Sequence, residues 1–187
     1  MTMDISPGDA AAALRDVERV QARICEIRGY RIASPYLFLW GAVWVVGYSL
    51  TGLVAPDEIW KVWLAVDVFG IAGSVLLSVR AQAANRSPSR AWRSLASLIA
   101  IAAFVGASYA VLRPSSLVQF EVYPALILAL VYALVGIFVL PRFAWIGAAV
   151  FLATMAGYIF LQPWMGFWLA GAGGGALIVG GAWLRRA

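Results

Sequence analysis

Six long apolar runs constrain this chain more than any other feature of its sequence. Each holds about the 20 residues that a helix needs to cross roughly 30 Å of hydrocarbon. An open sheet would leave backbone groups unpaired in lipid, and a β-barrel would need short segments of alternating polarity. The sequence therefore predicts six transmembrane helices, at Tyr36–Ala55, Trp60–Val79, Ser94–Leu112, Val122–Leu140, Phe143–Gln162 and Met165–Leu184.

The composition agrees with a membrane protein. Hydrophobic residues make up 63% of the chain, charged residues make up 12%, and the mean hydropathy is +0.86. Soluble globular domains contain about 45–50% apolar and about 25% charged residues. These values argue against a soluble globule, a disordered chain or a disulfide scaffold. We expect residues 1–34 to form a cytoplasmic amphipathic helix and linker, and residues 35–187 to form the transmembrane domain.

The basic residues predict the orientation, because they collect in cytoplasmic loops. Twelve of the fourteen, Arg86 among them, fall in the N-terminal segment, the second and fourth connections, and the C-terminal tail. Lys61 and Arg113 fall on the other side, where Asp57, Glu58 and Glu121 are also expected. Both termini should then be cytoplasmic. Arginine outnumbers lysine 13 to 1, which suggests a bacterial genome and hence a bacterial cytoplasmic (inner) membrane.

The connections suggest how the helices pair. The outward-going first, third and fifth runs end alike, with a glycine and a tyrosine ahead of a proline. One explanation is that membrane helices reuse few residue types, and the other is an ancestral hairpin repeated in one orientation. The predicted fold class is an all-α integral membrane protein. Its six transmembrane helices are arranged as three hairpins, preceded by the cytoplasmic amphipathic helix.

The N-terminal helix carries an apolar seam. Its members are spaced by 4, 3, 4 and 3 residues, as in a coiled coil: Ala13, Val17, Val20, Ile24 and Ile27. The helix could pair with a copy of itself or with another protein, lie on the inner leaflet, or fold back on the bundle. Its five acids cancel its five arginines, which weakens the lipid alternative. We favour docking or homo-oligomer contact through residues 7–31, with Cys25 as a passive residue on or near the seam.

Asp67 is the one charge placed deep within an apolar run. It lies about 10 Å inside the outer border, where an ionisable group is costly and usually has a partner. Arg113 is the expected partner, and Ser108 and Tyr109 could donate hydrogen bonds to the carboxylate. Asp67 could respond to protons or cations, or it could be a hydrogen-bonded fixture between helices.

Two further patterns indicate packing surfaces. Gly171 and Gly175 form a GxxxG pair that Gly180 extends, which suits close approach of helices within the bundle or across a dimer. An aromatic strip recurs every four residues on the first run, at Tyr36, Trp40, Trp44 and Tyr48. Core packing is the commoner cause of such a strip, and a groove for an apolar or cationic ligand is the alternative.

The chain lacks the residue sets that enzymes of the common classes use. It has no histidine and one cysteine, and we find no paired carboxylates and no phosphate-binding loop. We therefore expect no catalytic residues, cofactor or metal, and the positive-inside bias accounts for the net charge of +5 without nucleic acid. The expected partners are the lipid bilayer and, through residues 7–31, a protein. The expected role is a non-enzymatic interaction or regulatory subunit, and the alternative is a small transporter or channel component with Asp67 in its pathway.

Overall fold

The computed structural model describes residues 7–83 and 88–186, which form helices joined by short turns. The all-helical prediction is confirmed for these residues, while Arg86 lies outside them. Within the described ranges, five helical stretches are long and apolar enough to cross a membrane, and the apolar part of the third helix, Ile99–Leu112, is shorter. The architecture is compatible with a membrane protein.

The helix bounds follow the predicted runs closely, apart from the first helix. The long helices are α1 (Pro7–Thr51), α2 (Ile59–Ala83), α3 (Pro88–Leu112), α4 (Leu117–Phe138) and α5 (Arg142–Phe160). The last stretch contains α6 (Met165–Trp168), a π-helical segment (Leu169–Gly174) and α7 (Gly175–Arg185), which follow one another without a break. Single 3-10 turns at Pro56–Glu58 and Gln162–Trp164 precede α2 and α6.

The linker predicted before the first run is absent, because α1 is one helix of 45 residues. It continues through residues 32–34 and through Pro35, which lacks the amide hydrogen that would bond to the carbonyl of residue 31 and whose ring crowds that carbonyl. At 1.5 Å per residue, α1 is about 67 Å long. The N-terminal amphipathic segment and the first apolar run are therefore two parts of one continuous helix.

The core lies between α1, α4, α5 and the last stretch. Its most deeply buried large side chains come from α1, α5 and the last stretch, and they include Tyr48, Val150, Met165, Leu169 and Leu177. The α4 helix contributes small buried side chains such as Ala125 and Ala129. α2 packs against α1 at the edge of this core. Buried apolar side chains contributed by four separate parts of the chain hold the bundle together.

Helix pairing agrees in part with the three-hairpin prediction, because α1 packs against α2 and α5 contacts the last stretch, whereas α3 and α4 do not pair along their lengths in the described residues. α4 packs most closely against α5, whereas the described part of α3 contacts the start of α4 through Tyr109 and packs loosely elsewhere. Small residues explain the close pair: Gly136 faces Ala144, and Gly147 faces the backbone of Ala129. Helix backbones can approach closely where side chains are this small, and dispersion contacts then replace those with lipid.

Large apolar side chains cover the outside of the bundle. Phe69, Val111, Phe138 and Phe160 are each more than three-quarters exposed. Soluble monomers rarely expose apolar patches of the size that such residues form together. The exterior is therefore suited to contact with lipid.

Candidate functional site

The N-terminal half of α1 forms an exposed apolar surface. Every described side chain from residue 12 to residue 25 is exposed. Three residues of the predicted seam, Val17, Val20 and Ile24, are 50–58% exposed, and the adjacent Leu14 is 60% exposed. We call these four residues the α1 seam; Ile27, at the end of the predicted seam, is half-buried. Nothing else in the described part of the chain covers this surface, so a fold-back on the bundle, which was one of the three alternatives, does not occur there.

The bundle begins at Tyr30, which anchors α1. The Tyr30 hydroxyl donates a 2.7 Å hydrogen bond to Glu26 Oε1 and accepts a 3.2 Å bond from the backbone amide of Arg142. The Arg142 guanidinium lies 5.1 Å from the ring centres of both Tyr30 and Trp183. This cluster fixes the point at which α1 leaves the bundle.

The predicted polar set of Asp67, Arg113 and Tyr109 is not assembled. Asp67 is half-buried, and its carboxylate takes part in none of the hydrogen bonds or ion pairs of the described residues. Arg113 is exposed and ends α3 in a left-handed conformation, with φ of 46°. The expected pairing does not form because the C-terminal part of α3, which the structure describes, packs loosely.

Tyr109 bonds to α4 rather than to Asp67. Its hydroxyl donates a 2.7 Å hydrogen bond to the backbone carbonyl of Phe120, and its ring stacks on the Phe120 ring with centroids 4.8 Å apart. Ser108, the other predicted donor, bonds to the Phe104 carbonyl of its own helix. Neither hydroxyl reaches the carboxylate that it was expected to serve.

The aromatic strip packs in two directions. The Tyr36 hydroxyl lies 2.8 Å from Ser78 Oγ, and Trp40 Nε1 donates to Ser74 Oγ at 3.1 Å, so both side chains attach α2 to α1. Trp44 and Tyr48 turn into the core and meet edge to face, with ring centroids 5.4 Å apart. The four rings therefore contact α2 and the core rather than lining one shared surface.

The glycines that pack are not the predicted GxxxG pair. A Cβ atom added at Gly171 or Gly175 would meet open space among the described residues. At Gly174 it would lie 2.8 Å from Val45 and 3.0 Å from the Gly41 carbonyl, and at Gly180 it would lie 2.9 Å from Ile146. Gly180 packs in the bundle as predicted, whereas Gly171 and Gly175 face away from it.

A cavity that the sequence did not indicate lies where α1 ends and α4 begins. Its volume is about 340 Å³. It is lined by residues at the end of α1, at the start of α4, in the 3-10 turn Gln162–Trp164 and in α6. Its one charged lining residue is Glu121, which is only 5% exposed. The distribution of charges predicted Glu121 in an outer loop, whereas the structure buries it in the second turn of α4.

The start of α4 is what places Glu121 inside the bundle. Ser116 caps the helix by accepting a hydrogen bond from the Gln119 amide at 3.3 Å, and Gln119 Oε1 accepts one from the Ser115 amide at 3.0 Å. This reciprocal arrangement resembles a capping box, and its Ser-x-x-Gln pattern was readable in the sequence. It starts the helix five residues before the predicted Val122.

Tyr48 and Gly166 position the residue from the other side. The buried Tyr48 hydroxyl donates a 2.9 Å hydrogen bond to the backbone carbonyl of Glu121. A Cβ atom at Gly166 would lie 3.2 Å from Glu121 Oε1, so the glycine lets the carboxylate approach the α6 backbone. The Glu121 carboxylate makes no hydrogen bond or ion pair with the described residues, and it borders the cavity.

No family model, no curated protein and no solved structure matches this chain. Its function must therefore be inferred from the geometry of its own residues.

Proposed function

We propose that this chain is a polytopic protein of a bacterial inner membrane that serves as a non-enzymatic interaction or regulatory subunit. The α1 seam is its cytoplasmic contact, and both termini lie on the cytoplasmic side. Five apolar stretches of sufficient length and an apolar exterior support insertion in the bilayer. The distribution of basic residues supports the orientation.

The exposed α1 seam on a continuous helix is the observation that carries this role. A bilayer is about 40–45 Å thick with its headgroups, and α1 is about 67 Å long. Lying flat on the inner leaflet would need a near right-angle turn, whereas α1 remains one helix through Pro35, the residue at which a kink would be expected. The seam therefore stands in water, where four large apolar side chains favour a covering partner.

The charges beside the α1 seam select the partner. Arg23 and Arg28 occupy the flanking positions of its coiled-coil repeat, and neither forms an ion pair within the described residues. Two copies projecting side by side from one membrane face would bring Arg23 of one against Arg28 of the other. Like charges there disfavour a parallel pair of copies. The partner is therefore an amphipathic helix of a second protein, with acidic residues beside its apolar positions.

A transport role would need a polar route past Asp67. The described contacts bring neither Arg113 nor Tyr109 to that carboxylate. The interaction role is better supported by the geometry.

The test uses a fluorescent four-heptad peptide with isoleucine and leucine at the seam positions and glutamate at the flanking positions. We expect it to bind the full chain in detergent micelles, as measured by fluorescence anisotropy. The same peptide with lysine at the flanking positions should bind at least about tenfold more weakly, which corresponds to a loss of about 1.4 kcal/mol in binding free energy. Equal binding of the two peptides would contradict the charge preference.

Variants locate the contact on the chain. Val20→Asp with Ile24→Asp should abolish binding of the acidic peptide, since both side chains are exposed and their loss leaves the bundle intact. Leu53→Asp is the matched control, because Leu53 is 71% exposed beyond the other end of α1. Analytical ultracentrifugation tests the alternative that the partner is a second copy of this chain. A dimer of the chain that dissociates in the Ile24→Asp variant would support that alternative and contradict the proposed partner.

A further inference from the structure

We propose that the cavity beside Glu121 binds a small organic ammonium ion. The cavity of about 340 Å³ lies at the low end of the roughly 300–1,000 Å³ that small-molecule sites occupy. It is independent of the α1 seam, which lies toward the opposite end of α1. Thr51 and Gly52, which line the cavity, are at the C-terminal end of that helix.

The charge of the ligand follows from the lining. The side chain of Glu121 is almost fully buried, and its carboxylate lacks a hydrogen-bond donor among the described residues. The lining contains no arginine or lysine. A buried carboxylate without a counter-charge is costly, and a cation with N–H donors would satisfy it.

The other polar side chains of the lining are those of Thr51, Gln162 and Trp164, and the Gln162 amide can both donate and accept hydrogen bonds. The Thr51 hydroxyl already donates to the Gly47 carbonyl at 2.9 Å and accepts from Trp63 Nε1 at 3.1 Å. Its proton is therefore committed, and what it can still offer a ligand is a lone pair. A cation with N–H donors fits this set because Glu121 is its one charged member, and an anion would be repelled by that carboxylate.

The rim favours an organic cation over a metal ion. Trp164 and Phe167 line the cavity with ring centroids 6.1 Å apart and planes tilted by 45°. Aromatic faces attract alkylammonium groups, whose charge is spread and weakly hydrated. A divalent metal ion would instead need several ligand side chains close together. Among the described residues, no three Asp, Glu, His or Cys side chains are close enough to hold a metal ion.

The test measures binding to the full chain in detergent micelles by isothermal titration calorimetry. The probe is n-butylammonium chloride, with n-butanol as its neutral counterpart and sodium chloride as the ionic control. We expect saturable binding of n-butylammonium and no saturable binding of n-butanol or sodium. Equal binding of n-butanol would overturn the need for charge, and binding of sodium with the same dependence on Glu121 would show an inorganic cation site instead.

Glu121→Gln removes the charge with little change in shape, and it should weaken n-butylammonium binding at least tenfold. Trp164→Leu, at an exposed rim position, should weaken it severalfold. Asp57→Asn is the matched control, because Asp57 is an exposed acid in the 3-10 turn that follows α1, and it should leave binding unchanged. Unchanged binding in Glu121→Gln would overturn the proposal.

A second measurement uses the unaltered chain, so it does not depend on how a variant folds. A hydrophobic carbodiimide modifies carboxyl groups in apolar surroundings, and mass spectrometry of peptides separates Glu121 from Asp67. n-Butylammonium should slow modification of Glu121 and leave Asp67 unaffected. Equal protection of both residues, or protection of neither, would contradict a ligand seated at Glu121.

Discussion

The Tyr109 hydroxyl donates a 2.7 Å hydrogen bond to the backbone carbonyl of Phe120 because Pro124 leaves that carbonyl free. In an unbroken helix the carbonyl of residue 120 would accept from the amide of residue 124, and proline has no amide hydrogen. An unpaired carbonyl is expensive where water is excluded, and a side chain of a neighbouring helix repairs the loss. The loosely packed α3 is thereby attached to α4.

A double-mutant cycle tests this repair. Tyr109→Phe keeps the ring that stacks on Phe120 and removes the donor, so we expect a loss of about 1 kcal/mol in unfolding free energy. Pro124→Ala restores the helical donor, and Tyr109→Phe should then cost little. Unfolding in mixed micelles, followed by circular dichroism, gives the four free energies. The same loss in both backgrounds would mean that Pro124 is not the reason for the bond.

The packing of the last stretch gives a second prediction. Gly174→Ala should lower the unfolding free energy by about 1–3 kcal/mol, because its Cβ would press on the Gly41 carbonyl of α1. Gly171→Ala is the control, since its Cβ would meet open space and alanine favours a helix over glycine. It should be neutral or slightly stabilising. Equal destabilisation by the two variants would contradict the assigned faces of the helix.

The sequence predicted the helices well, because the length and apolarity of a run are local properties. It could not show which glycines face the bundle. Gly171 and Gly175 are separated along the π-helical segment, whose wider turn displaces the register of the residues that follow. An i, i+4 spacing counted across such a segment does not identify the packed face, so Gly173 and Gly174 make contacts that the motif assigned elsewhere.

Glu121 shows a different limit. The signal for its helix, Ser116 and Gln119, was available in the sequence, and it would have moved Glu121 out of the loop. Its burial was not available, because it depends on Tyr48 and Gly166, which lie 73 and 45 positions away along the chain. Contacts between such distant residues arise from tertiary packing, and no local pattern encodes them.

The orientation gives a third prediction. Cys25 is exposed on α1 and is the chain's one cysteine, so a membrane-impermeant maleimide reports its side directly. It should react in inside-out vesicles and stay unlabelled in intact spheroplasts, because the arginine-rich segments face the cytoplasm. Asp57→Cys in a Cys25→Ser background should show the reverse. Labelling of both positions from one side would contradict the predicted topology.

The fourth prediction concerns the start of α5. Pro141 precedes this helix and offers no side-chain cap, so the first amide, that of Arg142, is bonded by the Tyr30 hydroxyl of α1 instead. Tyr30→Phe should therefore cost about 1 kcal/mol and speed hydrogen exchange in the first turn of α5. Tyr36→Phe is the matched control, because it also loses one hydroxyl of α1, whose partner is Ser78 on α2. If the two variants speed exchange in α5 equally, the Tyr30 hydroxyl is not the cap of that helix.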